Sequence, residues 1–92
     1  MIRNFKHKGL QRLYQSGDTR GIISSHAKRI LIRLDRLNRI QVLEDLPSEW
    51  KCHPLHRELE GNYAIWVNAQ WRILFRFEEG EFCDVDYLQY HG

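Results

Sequence analysis

Five side chains in the second half of this 92-residue sequence have the chemistry needed to cleave a phosphodiester without a metal ion: His53, His56, Arg72, Tyr90 and His91. Histidine exchanges protons near neutral pH and can act as a general acid or base. Arginine can stabilise the charge that develops on a phosphate, and tyrosine offers a surface on which a base can stack. The same residue types also occur on ordinary basic surfaces. The hypothesis therefore depends on whether these side chains share one face of the fold.

The length and composition fit one domain that spans residues 1–92. Hydrophobic residues make up 42% of the chain and charged residues 28%, as in ordinary globular proteins. No apolar run approaches the roughly 18 residues of a membrane span, and the N-terminal segment lacks the apolar core of a signal peptide. We therefore expect a cytoplasmic protein. Membrane binding is not expected, because the apolar faces of the helices are needed for the core. Cys52 and Cys83 have no motif spacing, so we expect reduced thiols.

The charge is distributed unevenly along the chain. Residues 1–57 contain twelve Lys/Arg and five Asp/Glu, whereas residues 58–92 contain two and seven. A basic first half suggests a polyanionic partner such as nucleic acid. Two solvated helix faces would give the same composition, and charge alone does not decide between these readings.

The hydrophobic pattern predicts an α+β fold in which two N-terminal helices pack on one face of a small antiparallel sheet, with a short N-terminal edge strand. The first helix should end at Ser16-Gly17. The second should be capped by Ser24 or Ser25 and fade near Val42. Alternating apolar residues predict three strands, at about 63–67, 71–77 and 82–88. Before them, Pro54 favours an irregular or extended loop over residues 52–59.

The same alternation predicts the strand register. Directly opposed residues in an antiparallel pair share a face, so Ile65 should lie opposite Ile73 across a three-residue turn. By the same parity Phe77 should lie opposite Cys83, which requires an odd-length turn containing residues 79–81.

The face without helices should then carry a mixed set of side chains: Trp66, Arg72, Leu74, Arg76, Asp84, Asp86 and Leu88. In this register Arg76 has an ion-pair partner in Asp84, whereas Arg72 faces only Trp66 and Leu88. Arg72 is therefore either a phosphate site or a surface arginine stacked on Trp66, and the two roles are compatible.

Several short stretches, in this order and spacing, resemble HigB-type toxins of the RelE/ParE superfamily: Met1–Arg3, Phe5–Leu10, His53–Leu55, Glu60-Gly61, Trp71–Ile73 and Tyr90-His91. The resemblance covers nearly the whole chain. It implies the toxin of a type II toxin–antitoxin system, which enters the decoding site of the ribosome and cuts mRNA without a cofactor. It also implies a cognate HigA-type helix-turn-helix antitoxin, through which alone the toxin would contact operator DNA.

The resembled family uses four of the matched positions for RNA cleavage: His53, Arg72, Tyr90 and His91. We expect the arginine to stabilise charge, the two histidines to act as acid and base in either order, and the tyrosine to hold the nucleotide. His56 stands where the family commonly has lysine, and Gln89 where it has an acidic residue. Together with Trp66, these two are expected to contact substrate.

Other readings remain open. The same fold could be a non-catalytic module, damaged at His56 and Gln89, that acts mainly in an antitoxin–operator complex, or a ParE-like gyrase inhibitor. The two histidines of His53-Pro54-Leu55-His56 could imitate part of a zinc site with Cys52 or His91, but no second ligand pair follows, so we expect no metal. The arginine-rich helix faces fit ribosomal RNA or an acidic antitoxin surface. His7 and His26 are assigned no role.

Overall fold

Two helices and four strands make up the computed structural model, which describes residues 1–90; the predicted site residue His91 and the following Gly92 lie outside the described residues. The elements, in chain order, are α1 (Lys8–Ser16), α2 (Ala27–Arg39), β1 (His53–Pro54), β2 (Tyr63–Trp66), β3 (Trp71–Glu78) and β4 (Glu81–Gln89). The strands form one antiparallel sheet in the order β1-β2-β3-β4. The predicted α+β fold is confirmed. Within residues 1–90, neither helix has the length and apolar content to cross a bilayer.

The helices lie on one face of the sheet because each has a continuous apolar stripe. The core between the two layers consists of fully or almost fully buried side chains from both: Leu10, Leu13, Ile30, Leu34, Leu37, Ile65, Ile73, Phe75, Phe82 and Val85. Helix α1 ends as predicted, since Gly17 adopts the left-handed conformation (φ 75°) that terminates helices.

The start and end of α2 differ from the prediction. Residues Ser24–His26 form a 3-10 turn whose carbonyl at Ser24 accepts the N–H of Ala27, and no serine side chain caps the helix. The backbone of the preceding turn therefore replaces the predicted serine cap. The helix ends at Arg39, short of Val42, because Ile40 turns into an extended conformation and enters the core.

The register between β2 and β3 is the predicted one, with Ile65 opposite Ile73. The turn after β3 differs from the predicted one. It contains only two residues, Glu79 and Gly80, both with positive φ (52° and 78°), as in a type I′ hairpin. Phe77 therefore lies opposite Phe82, and the predicted pairing with Cys83 is wrong.

A β-bulge in β4 restores the expected register farther from the turn. The pairing shifts by one residue between Arg76↔Cys83 and Leu74↔Asp86, and Asp84 within the shift has a φ of 52°. The predicted ion pair between Arg76 and Asp84 is therefore wrong. Arg76 instead pairs with Glu78 on its own strand at 3.0 Å.

The chain on either side of the helices also departs from the prediction in detail. Residues 2–5 make only two isolated parallel bridges to β4, Ile2↔Phe82 and Phe5↔Val85, in place of a full edge strand. The predicted loop over residues 52–59 contains the short strand β1, which pairs with β2 through His53↔Ala64, followed by a 3-10 turn at residues 57–59.

Candidate functional site

Arg72 lies near the centre of the sheet, on the face away from the helices. It is paired with Trp66 on β2 and with Leu88 on β4, as the sequence predicted. The residue is only 6% exposed. Its Cζ lies 4.1 Å from the ring centroid of Trp66, so the predicted cation–π contact is present.

The guanidinium of Arg72 is only partly satisfied by the protein. Nη1 donates hydrogen bonds to the carbonyls of Asn68 (2.6 Å) and Trp71 (3.2 Å), whereas Nε is buried without a partner. Within residues 1–90, Nη2 has no hydrogen-bond partner and no carboxylate forms an ion pair with this arginine. Burial lowers the pKa of Arg72, but an arginine remains charged at neutral pH.

An unsatisfied buried donor is unfavourable by about 1–3 kcal/mol, so the orphaned Nε needs an explanation. Nη2 is not among the buried unpaired atoms, so it is the accessible donor of this guanidinium, and carboxylate and phosphate oxygens are the acceptors that match it. The structure therefore places a cation suited to phosphate binding on the face away from the helices.

Tyr90 is brought to the same place by the end of β4. Its backbone N–H donates to the carbonyl of Gln70 (2.8 Å), and its ring centroid lies 5.7 Å from Cζ of Arg72. Tyr90 also packs against a small second cluster centred on the buried side chains Leu55, Ala64 and Leu74. This cluster partly covers the face that the sequence suggested was open.

Gln89 does not join this group. It pairs with Trp71, and strand alternation directs its side chain to the helix side of the sheet, opposite to Leu88 and Tyr90. There it lines an open cleft together with His7 and Tyr87.

His53 lies on the same face as Trp66, because it is paired with Ala64, two residues earlier on β2. Its Nδ1 lies 2.8 Å from the carbonyl oxygen of Lys51. A carbonyl can only accept, so Nδ1 carries the hydrogen, and the neutral ring keeps its lone pair on Nε2. His56 is exposed, and within residues 1–90 its side chain makes no hydrogen bond. No cluster of three metal-ligating side chains occurs among the described residues.

Lys51 is a cation of this face that sequence reasoning missed. Its Nζ lies 3.9 Å from the ring centroid of Trp66, the same indole that contacts Arg72. The available signal was strand parity, since counting back from His53↔Ala64 places residue 51 opposite Trp66. The left-handed conformation of Lys51 (φ 55°), which directs the chain there, is not evident from the sequence.

Two arginines of α2 hold the end of β2 in place. Arg29 donates to the carbonyl of Val67 (2.9 Å), and Nε of Arg33 donates to the carbonyl of Trp66 (2.6 Å). Cζ of Arg33 also lies 4.7 Å from the ring centroid of Trp50, and burial lowers the pKa of this guanidinium. These two side chains therefore connect α2 to the end of β2, in addition to any role on the basic surface.

Replacing Arg33 by methionine is expected to lower the free energy of unfolding by about 1.5–3 kcal/mol, because a part-buried, charge-assisted hydrogen bond is lost. Lys28→Met, an exposed change on the same helix, is the matched control and should stay within about 0.5 kcal/mol of wild type. Urea denaturation of both variants measures the difference. Equal stabilities would show that the contact with Trp66 contributes nothing.

His26 has a structural role that the sequence did not reveal. Asn68 Oδ1 accepts the N–H groups of Gln70 (2.8 Å) and Trp71 (2.9 Å), while its Nδ2 lies 3.0 Å from His26 Nε2. The other ring nitrogen of His26 lies 2.7 Å from the hydroxyl of Tyr87. Burial lowers the pKa of His26, which favours the neutral ring that this arrangement requires. His26 thus holds Asn68 in place, and the carbonyl of Asn68 accepts a hydrogen bond from Arg72.

Comparisons with known proteins agree with the fold. Residues 3–91 match the family model described as the RelE-like toxin of the type II toxin–antitoxin system HigB. The chain is 38% identical over 92 residues to a protein named Endoribonuclease HigB from Proteus vulgaris, covering 99% of this chain and 100% of that protein.

Two solved structures share the fold. YafQ from E. coli superposes with a TM-score of 0.55 at 18% identity, covering 95% of this chain and 86% of that chain. The YoeB–YefM complex from Staphylococcus aureus gives a TM-score of 0.53 at 17% identity, covering 92% and 86%.

Proposed function

The chain belongs to the RelE-like HigB family of type II toxin–antitoxin toxins, and from this premise we propose that it is an endoribonuclease that cuts mRNA in the decoding site of the ribosome. The observation that carries the proposal is the buried guanidinium of Arg72. It has an unsatisfied Nε and no carboxylate partner within residues 1–90, and its Cζ lies 4.1 Å from the ring centroid of Trp66 and 5.7 Å from that of Tyr90. His53 shares this face.

The proposed reaction uses the ribose 2′-OH as the nucleophile. Nε2 of His53 takes the proton of this hydroxyl while the 2′ oxygen forms a bond to phosphorus. Nη2 of Arg72 binds a non-bridging oxygen, and the guanidinium stabilises the charge that develops on the phosphate. The 5′ oxygen then leaves, and a 2′,3′-cyclic phosphate remains. His91 is proposed to protonate the leaving oxygen, on the strength of its match to a cleavage position of the resembled family.

The other expected contacts belong to the same proposal. Trp66 and Tyr90 provide surfaces on which a base or ribose can be held in line. Exposed cations of α2 such as Lys28 are available for ribosomal RNA phosphates. A HigA-type antitoxin in the cytoplasm would neutralise the toxin and link it to operator DNA. His56 and Gln89 have no demonstrated contact with the Arg72 group, so their roles in substrate binding stay predictions.

Primer extension on mRNA, with and without programmed ribosomes, tests the function directly. Cuts within the decoding-site codon are expected only when ribosomes are present. Cleavage of free RNA at the same rate would contradict the dependence on the ribosome. Intact mRNA in both reactions, from protein shown to be folded by circular dichroism, would favour a non-catalytic module or a gyrase inhibitor.

A further inference from the structure

We propose that Lys51 binds an RNA phosphate next to the phosphate held by Arg72, so that Trp66 orients two cations along one strand of the substrate. The inference rests on the proposed RNA-cleaving function. It adds a substrate-binding residue that neither the sequence pattern nor the family match identifies.

The first argument is the spacing of the two cations. Nζ of Lys51 lies 3.9 Å and Cζ of Arg72 lies 4.1 Å from the same indole centroid, so the two positive centres are at most 8.0 Å apart. This is about one Debye length at physiological ionic strength, so an anion bound at either centre is also attracted by the other. Within residues 1–90, neither cation forms an ion pair with a carboxylate. Two like charges held together without a counter-charge favour a polyanionic ligand.

The second argument is the backbone of Lys51. Its φ of 55° lies in the left-handed region, which is strained for residues with a side chain. The conformation is nevertheless fixed on both sides. The N–H of Lys51 donates to the carbonyl of Ser48 (3.0 Å), and its own carbonyl accepts from His53 (2.8 Å). The preceding Trp50 is buried beneath Arg33.

The ammonium group of Lys51 and the imidazole of His53 therefore belong to one hydrogen-bonded segment. A phosphate bound by Lys51 would lie beside His53, the proposed base. It would also lie on the same face of the sheet as Arg72. The charge of Lys51 thus acts on the substrate in the ground state and brings the strand into register with the reacting phosphodiester.

Three substitutions at Lys51 distinguish the effect of its charge on binding from an effect on folding. Lys51→Met keeps an unbranched apolar side chain and removes the charge, whereas Lys51→Arg keeps the charge. Lys51→Gly removes the side chain at a φ that glycine adopts without strain, so this variant should be at least as stable as Lys51→Met in urea denaturation. Lys8→Met, an exposed change at the start of α1, is the matched control.

Binding is measured on programmed ribosomes whose decoding-site codon carries 2′-deoxynucleotides and so cannot be cut. Lys51→Met and Lys51→Gly should bind about 10- to 100-fold more weakly, and the slope of log K against log salt should fall by about 0.7, the value for one phosphate contact on a single strand. Lys51→Arg should stay within a few-fold of wild type. Binding and salt slopes equal to those of Lys8→Met would overturn the inference.

The cleavage rate on ordinary mRNA, measured in parallel, distinguishes the two proposals. Cleavage by wild type together with unchanged binding of the Lys51 variants refutes only the role of Lys51. Tight binding that depends on Lys51, without cleavage by wild type, supports the phosphate contact and refutes the enzymatic function. Absence of both binding and cleavage in the wild type refutes both.

Discussion

Replacement of Arg72 by alanine is expected to slow RNA cleavage by about 10²–10³-fold, the usual effect of removing one preorganised donor to a developing negative charge. The guanidinium is held by the carbonyls of Asn68 and Trp71 and stacked on Trp66, so it need not reorganise during the reaction. Lysine at this position would keep a charge but lose the planar fork and the stacking geometry. Arg72→Lys should therefore remain at least tenfold slower than wild type. Single-turnover cleavage on programmed ribosomes measures these rates.

The matched control is Arg76→Ala, on the same strand. This arginine is exposed and paired with Glu78, so its loss should change cleavage less than about threefold. Arg72→Ala should not unfold the protein, because it removes a buried charge and an unsatisfied Nε together with the favourable contacts. Equal rates for the two alanine variants would refute the role of Arg72. A loss of activity that parallels a loss of the folded state would assign Arg72 to the fold instead.

The register around Arg72 was predicted correctly because two errors in the predicted pairing of β3 with β4 cancel. Alternation predicts an odd-length turn after β3, whereas Glu79 and Gly80 form a two-residue turn. This displaces the pairing near the turn by one residue. The bulge at Asp84 displaces it back, so Arg72 lies opposite Leu88 as alternation required. Turn length and bulge depend on the positive φ values of Glu79 and Asp84, which the residue types permit but do not require.

The apolar layers were predictable from hydrophobic periodicity, but the contacts that hold the site residues in place were not. Arg33 looked like one member of a solvated basic face, yet its Nε binds the carbonyl of Trp66 across the molecule. His26 was expected only to precede or flank a helix, yet its Nε2 lies 3.0 Å from Nδ2 of Asn68. Lys51 reaches Trp66 only because of a left-handed residue after a 3-10 turn. Each of these contacts joins segments that are distant in sequence, and hydrophobic periodicity alone does not identify such pairings.

Replacement of His53 by asparagine is expected to reduce the cleavage rate by about 10²–10⁴-fold while leaving the fold intact. The amide Nδ2 of asparagine can donate to the carbonyl of Lys51 as Nδ1 of the imidazole does, so the segment that presents Lys51 should keep its conformation. Of the two imidazole nitrogens, only Nε2 has no counterpart in asparagine. The variant therefore tests the proposed base separately from the hydrogen bond that orients it. His56→Asn, an exposed change three residues away, should lower the rate less than His53→Asn does.

An mRNA with sulfur in place of the 5′ bridging oxygen at the cleavage position distinguishes a base from an acid. A thiolate leaves without protonation, so this substrate bypasses the general acid but still needs the 2′-OH to be activated. If Nε2 of His53 is the base, His53→Asn should remain slow on the sulfur substrate by the same factor as on ordinary mRNA. Recovery of wild-type rates on the sulfur substrate would instead make His53 the acid, and would reverse the roles proposed for it and His91. An unchanged rate on both substrates would remove His53 from the chemistry and leave it as a brace for the backbone at Lys51.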